Sequence, residues 1–125
     1  MMESLDQKRA RFAWEKVPRS DSEYTNLAKG APALIMQSGL MPVLAFYNEK
    51  RKQPHHGALL EHICLWLQER FPTQIPRSTF EEVMKALMGN SQSNAAEHAQ
   101  FYRMATEEAL SILRWIRQFA AATGR

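Results

Sequence analysis

The chain has 125 residues, a length typical of one domain, and its 45% hydrophobic and 23% charged residues are an ordinary globular composition. Cys64 is the only cysteine, which excludes an intramolecular disulfide, and the longest apolar run, residues 59–67, is too short to span a bilayer. The formal net charge of +3 arises within residues 1–52, where nine Lys and Arg oppose six Asp and Glu, a modest excess that suits a polyanionic partner. We therefore expect a single domain over residues 1–125 in the reducing cytoplasm.

The first third of the chain predicts two helices. Helix one is expected over about residues 3–17. Pro18 predicts its end, because a proline disfavours helical backbone at the residue before it. Ser20 with Glu23 three residues later has the spacing of a capping box and predicts the start of helix two. The apolar residues of that helix recur with a 3.6-residue period: Tyr24, Leu27, Ala28, Ala31, Leu34 and Ile35. Gly39 predicts its end, because glycine adopts the left-handed conformation without a steric penalty.

The next two helices are predicted by new apolar stripes. Pro42 lies in the first turn of helix three, where its missing N–H costs nothing. The stripe of that helix consists of Leu40, Val43, Leu44 and Tyr47. Three consecutive cations, residues 50–52, follow at its C-terminus, where positive charge is favourable. Helix four is expected over residues 56–71, with one face formed by Leu60, Ile63, Cys64, Leu67 and Phe71.

Two further helices complete the chain. Ser78 with Glu81 predicts the cap of helix five, Gly89 predicts its end, and residues 89–94 read as a flexible loop. The core face of helix five is Phe80, Val83, Met84 and Leu87. Asn94 with Glu97 then opens a last helix that extends to about residue 123. Its apolar arc is formed by Phe101, Tyr102, Met104, Ile112, Leu113, Trp115, Ile116 and Phe119.

The arc of the last helix covers about half of its circumference, more than the roughly 100° that a surface helix needs. Such a helix either forms the centre of the fold or presents part of the arc to a protein partner, and the sequence leaves both open. No segment alternates with period two. The sequence therefore predicts an all-α fold, a single compact bundle of about five to six helices with a long C-terminal helix.

Residues with catalytic or metal-binding chemistry do not form a recognisable set. Four potential metal ligands lie close together in the sequence, namely His55, His56, His62 and Cys64. Adjacent histidines diverge by about 100° on a helix, and no second Cys or His pair supplies the remaining ligands of a zinc site. The neighbouring carboxylates at 81–82 and 107–108 diverge in the same way. We expect no enzymatic activity, no metal and no cofactor.

Two sets of residues are candidates for contacts with partners, one with RNA and one with protein. Phosphate contacts with RNA are predicted for Lys8, Arg9, Arg11, Lys16, Lys29, Lys50, Arg51 and Lys52. Such contacts position a nucleic-acid backbone without reading its sequence, although the same cations on helix one also suit a merely solvated face. A protein interface is predicted for Trp14, Arg114, Trp115 and Phe119, because aromatic residues and arginine are enriched in interfaces.

Three blocks of sequence resemble one known family. They are QKRARFAWEKV at 7–17, YTNLAKGAPALIMQSGLMPVLAFYNEK at 24–50 and YRMATEEALSILRWIRQFA at 102–120, together roughly half of the chain. They resemble the small subunit of the Cmr complex, the type III-B CRISPR effector that destroys foreign RNA.

The resemblance implies a non-catalytic, all-helical subunit that acts in antiviral defence. Copies would stack head-to-tail into the inner filament of the complex and hold target RNA paired with guide RNA by backbone contacts. The other Cmr subunits would be its partners, RNA cutting would belong to the backbone subunits, and no membrane would be involved. A helical adaptor that binds only protein is the alternative, and a helical regulator of DNA binding is a third possibility.

Overall fold

The computed structural model describes residues 3–90, 92 and 94–123. Six helices form this part of the chain: α1 Leu5–Lys16, α2 Ser22–Ser38, α3 Leu40–Glu49, α4 Pro54–Arg70, α5 Phe80–Met88 and α6 Ala95–Thr123. No strand occurs among the described residues, so the predicted all-α bundle with a long last helix is confirmed. None of the described helices is long and apolar enough to cross a membrane.

Helix α6 is the central element of the bundle, since it packs against α1, α2, α4 and α5. The fully buried side chains of α6 are Ala105, Ala109, Ile112, Leu113, Ile116 and Ala120. The three alanines among them let neighbouring helices approach closely. Of the wide apolar arc of α6, Ile112, Leu113 and Ile116 lie in the core, Phe101 and Tyr102 pack against it partly buried, and Met104 is 41% exposed. Trp115 and Phe119 are only partly buried, at the edge of that core.

The predicted apolar faces of α3, α4 and α5 are confirmed. The α3 stripe, Leu40, Val43, Leu44 and Tyr47, is buried. The α4 face is buried throughout, and Trp66 adds a fully buried indole to it. In α5, Val83 and Leu87 are buried completely, while Phe80 and Met84 pack partly exposed against the core.

Two helix caps differ by one residue from the prediction. Helix α2 is capped by Asp21, whose carboxylate accepts a hydrogen bond of 3.0 Å from the backbone N–H three residues on, whereas Ser20 precedes the cap with a φ of 59°. Helix α5 is capped by Thr79 in the same way, at 3.3 Å, and not by Ser78. In both places two good cap residues are adjacent, so spacing alone could not choose between them. The predicted cap of α6 is confirmed, since Asn94 accepts from two backbone N–H groups.

Gly39 joins α2 directly to α3. It ends α2 as predicted, but its φ of 94° and ψ of 159° place it at an extended positive-φ conformation that is nearly exclusive to glycine, and not in the left-handed helical region. Its N–H donates to the carbonyl of Ile35 at 2.8 Å. From the central helix, the hydroxyl of Tyr102 accepts a 3.0 Å hydrogen bond from the N–H of Met41, so the turn is supported from inside the bundle.

Candidate functional site

Three of the candidate cations form a basic turn between α3 and α4, defined by Lys50, Arg51 and Lys52. All three are exposed. Two local hydrogen bonds to backbone carbonyls hold the turn. Nη1 of Arg51 donates to the carbonyl of Asn48 at 2.8 Å, and the N–H of Gln53 donates to the carbonyl of Lys50 at 2.9 Å. Among the described residues, no carboxylate oxygen lies within 4.0 Å of these three charged groups.

Gly57 in α4 allows the basic turn to pack closely on that helix. A Cβ at this position would lie 2.8 Å from the carbonyl oxygen of Arg51, a distance that real Cβ atoms do not tolerate against backbone. The absence of a side chain at Gly57 therefore permits this close contact between the turn and α4. The three cations project from a backbone of defined shape, and not from a loose loop.

The cations of α1 face a groove of about 490 Å³ between α1 and α4. The charged residues that line it are the cations Lys8, Arg11, Lys16 and Arg70 and the carboxylates of Glu3, Glu15 and Glu69. Arg11 already forms an ion pair with Glu3. The groove thus carries mixed charge, which makes it a weaker site for a polyanion than the basic turn.

Arg9 occupies a different position from the other candidate cations. Its side chain is 16% exposed, and it binds both carboxylate oxygens of Glu108 on α6, through Nη2 at 2.6 Å and through Nε at 3.2 Å. A bidentate pair of this kind occupies N–H donors of the guanidinium that would otherwise be available to a phosphate. Arg9 therefore stabilises the fold through Glu108, and it is not free to bind phosphate as long as this ion pair is formed. Lys29, by contrast, is exposed on α2.

Glu108 is the centre of a buried polar network that the sequence did not indicate. Besides Arg9, it accepts a hydrogen bond of 3.1 Å from Nε1 of Trp66, and Nε of Arg70 lies 3.3 Å from its Oε2. Burial raises the pKa of Glu108, but the hydrogen bonds from Arg9 and Trp66 and the charges of the two arginines outweigh burial and lower it. One signal was present in the sequence, since Glu108 shares the core face of α6 with Ile112.

The four interface candidates come together in an aromatic patch on α1 and α6, formed by Trp14, Trp115 and Phe119 with Arg114 at its rim. The ring centroids of Trp14 and Phe119 are 5.3 Å apart, and those of Trp115 and Phe119 are 5.6 Å apart. The guanidinium of Arg114 lies 5.8 Å from the Trp115 centroid, and that of Arg19 lies 4.9 Å from the Trp14 centroid. Trp14 is 50% exposed, a large fraction for a tryptophan.

The histidines and the cysteine make packing contacts. Among the described residues, no three His, Cys, Asp or Glu side chains are grouped so that they could hold a metal ion. Nδ1 of His62 lies 2.8 Å from the hydroxyl of Tyr24, and burial, followed by the charge of Lys16, lowers the pKa of His62 to about 4. Burial also raises the pKa of the Cys64 thiol to about 12, so the thiol stays protonated at neutral pH.

A comparison with protein families gives a match over nearly the whole chain. The model of the family described as CRISPR-associated protein (Cas_Cmr5) matches residues 5–123. The chain belongs to this family. The match begins at the first residue of α1 and ends at the last residue of α6, so it also covers the middle of the chain, where the three sequence blocks had no counterpart.

Membership of the Cas_Cmr5 family confirms the resemblance to the small subunit of type III-B complexes. It makes the chain a subunit of a CRISPR-associated Cmr complex, with other Cmr subunits as its partners. The residues that contact RNA or neighbouring subunits remain predictions. For these, the structure contributes two surfaces: the basic turn and the aromatic patch.

Proposed function

We propose that this subunit is non-catalytic and holds the target RNA and its duplex with the guide by phosphate contacts, within an inner filament of identical copies. The observation that carries the RNA contact is the basic turn. Three consecutive exposed cations, none paired with a carboxylate of the described chain, lie on a turn that packs closely on α4 at Gly57. Surface cations without an ion pair attract a polyanion at low cost, because no existing ion pair must break.

Such contacts would be indifferent to RNA sequence. Lysine and arginine on a phosphate fix the position of the strand but do not distinguish its bases. One turn with three charges binds weakly by itself. A row of identical subunits would raise the affinity through effective concentration, since each bound phosphate holds the strand near the next turn.

The aromatic patch supports the association with neighbouring subunits. A half-exposed tryptophan backed by Phe119 and bordered by two arginines has the composition of a protein-interface hot spot. Since Ile112, Leu113 and Ile116 of the apolar arc lie in the core, the interface would centre on Trp14 and on the partly buried Trp115 and Phe119 at the edge of that arc. A head-to-tail contact of this surface with a different surface of the next copy would generate an open filament.

A protein-only adaptor is the second candidate, and one observation favours it. Two of the four candidate cations on α1, Arg9 and Arg11, are each paired with a carboxylate. Half of the candidate cations on α1 are therefore already balanced by a carboxylate. This leaves the basic turn as the feature that distinguishes the two functions.

Salt dependence of RNA binding tests the proposal. For single strands, log affinity falls with log salt concentration with a slope of about 0.7 per phosphate neutralised. Replacing Lys50, Arg51 and Lys52 together with alanine should flatten this slope by up to about two units, and equally for unrelated RNA sequences. The measurement is fluorescence anisotropy of labelled single-stranded RNA over a salt series.

A control of equal charge removes three exposed cations from the other half of the chain, by the substitutions Arg77→Ala, Arg103→Ala and Arg117→Ala. In the described part of the chain, only Arg77 of these three lies near a carboxylate, 4.0 Å from Glu82. Both triple variants lower the net charge by the same amount. The proposal expects a flattened slope only for the basic turn. An equally flattened slope in both variants would show that only the net charge of the protein matters. If the variant without the cations of the basic turn keeps the wild-type slope and affinity, the protein-only adaptor is favoured.

A further inference from the structure

We propose that Phe46 is a stacking platform for an unpaired base of single-stranded RNA, beside the basic turn. The inference rests on the proposed function, in which Lys50, Arg51 and Lys52 hold the phosphates of the same strand. It adds a contact to the bases, and it assigns a role to an exposed aromatic residue that no core or cap requires.

The ring of Phe46 is exposed and yet held in place. It is 44% exposed on the outer side of α3, while its neighbour Tyr47 is fully buried. The centroid of the Phe46 ring lies 6.0 Å from that of Tyr47 and 6.2 Å from that of His56, with the His56 ring nearly perpendicular at 85°. Two aromatic rings therefore support Phe46 from the side of the protein, which limits the rotamers that it would lose on stacking.

The basic turn begins one helical turn after Phe46. The ammonium of Lys50 lies 5.9 Å from the centroid of the Phe46 ring. Single-stranded nucleic acid is bound by this pairing of elements, an aromatic face for a base and cations for the adjoining backbone. A flexible lysine can leave the ring for a phosphate when a base covers the ring, and the cation then remains within reach of the same nucleotide.

The platform itself is apolar and its rim is charged. Burial, and then the charges of His55 and Lys50, lower the pKa of His56, so its imidazole is neutral at pH 7. Glu49, exposed at the end of α3, offsets one of the three charges of the basic turn. The local balance stays positive, which suits a strand that brings one phosphate with each base.

The surroundings of Phe46 favour a nucleic acid over a protein as its occupant. Lysine is depleted in protein–protein interfaces, where its desolvation is costly, and here two lysines and an arginine follow the exposed ring within six residues. The aromatic patch on α1 and α6 has the opposite character, since tryptophans dominate it and arginines border it. The two exposed aromatic surfaces therefore suit different partners.

The test compares two probes with the full chain. One is a labelled oligoadenylate, and the other is the same ribose–phosphate chain without bases. Phe46→Ala should weaken oligoadenylate binding by about 5- to 150-fold and leave binding of the abasic chain unchanged. The salt slope should stay the same, because no phosphate contact is lost.

Three further variants sharpen the comparison. Phe46→Trp should preserve or strengthen oligoadenylate binding, and Phe46→Leu should lose it as Phe46→Ala does, because leucine is apolar but has no π-face. Met36→Ala removes another exposed apolar side chain, 76% exposed on α2, and should change nothing. Circular dichroism melting establishes that each variant is folded, and the Trp and Leu variants carry the test if the Ala variant is not.

Several outcomes would overturn the inference. Equal losses on both probes, or full binding by Phe46→Leu, would show that no base stacks on Phe46. Unchanged RNA binding by Phe46→Ala would do the same. In these cases a flattened slope after loss of the basic turn would leave the proposed function standing, whereas no RNA binding by the wild-type chain at low salt would overturn both.

Discussion

The Glu108 network predicts a specific and large loss of stability when its central charge is removed. Glu108→Gln keeps the shape of the side chain, but it leaves Arg70 without its negative partner and Arg9 with only the carboxylate of Asp6, 3.4 Å away. Removing one partner of a buried ion pair typically lowers the free energy of unfolding by 3–5 kcal/mol. Because the side chains of Arg9 and Arg70 are 16% and 30% exposed, the low end applies, about 3 kcal/mol, or a fall in Tm of about 10 °C for this chain length.

The pH dependence of stability supplies a second signature of the same charge. The pKa of Glu108 is lowered in the folded state, so the unfolded state takes up its proton first as the solution is acidified. The stabilisation by Glu108 is therefore complete above the unfolded pKa, about 4.3, and is lost as the pH falls through the lower folded pKa. The difference in stability between wild type and Glu108→Gln should shrink over this range.

Urea unfolding followed by circular dichroism, from neutral pH to about pH 3, measures both effects. Glu107→Gln is the matched control, since its carboxylate is the exposed neighbour on α6 and should have little effect. A Glu108→Gln variant as stable as the control at neutral pH would refute the reasoning. So would a stability difference that stays constant through acidification.

Two further predictions concern the aromatic patch and the α2–α3 turn. Trp14→Glu places a charge at a position where the native side chain is half exposed, so the melting temperature should change little. Self-association, measured by analytical ultracentrifugation, should be lost. Unfolding of this variant would instead place Trp14 in the core. Gly39→Ala should lower stability by about 1–3 kcal/mol in denaturant unfolding, because its φ of 94° is strained for any residue with a Cβ; an alanine variant of wild-type stability would contradict the positive φ.

The sequence predicts the elements of this fold well because they are local. Helix periodicity, the glycines at 39 and 89 and the cap at Asn94 each depend on residues within one or two turns. Where two cap residues are adjacent, as at 20–21 and 78–79, the choice depends on how the incoming chain reaches the helix. That geometry is set by the rest of the bundle.

The arrangement of the candidate sites depended on packing and could not be predicted in the same way. Arg9 and Glu108 are separated by 99 positions and meet only because α1 packs on α6, so Arg9 read as a free cation and Glu108 as one of two diverging carboxylates. The same packing gathers Trp14 and Phe119 into the aromatic patch. The candidate residues were therefore identified from the sequence, while the contacts that they form across the fold were not.

Target-RNA binding by the reconstituted Cmr ribonucleoprotein tests the central claim most directly. The complex is assembled with the wild-type subunit or with the variant in which Lys50, Arg51 and Lys52 are alanine, and affinity, subunit composition and cutting of bound RNA are measured. The account predicts unchanged composition, weaker and less salt-dependent binding of target RNA, and normal cutting once the RNA is bound. Unchanged affinity and salt dependence, or a loss of cutting while the RNA stays bound, would contradict it.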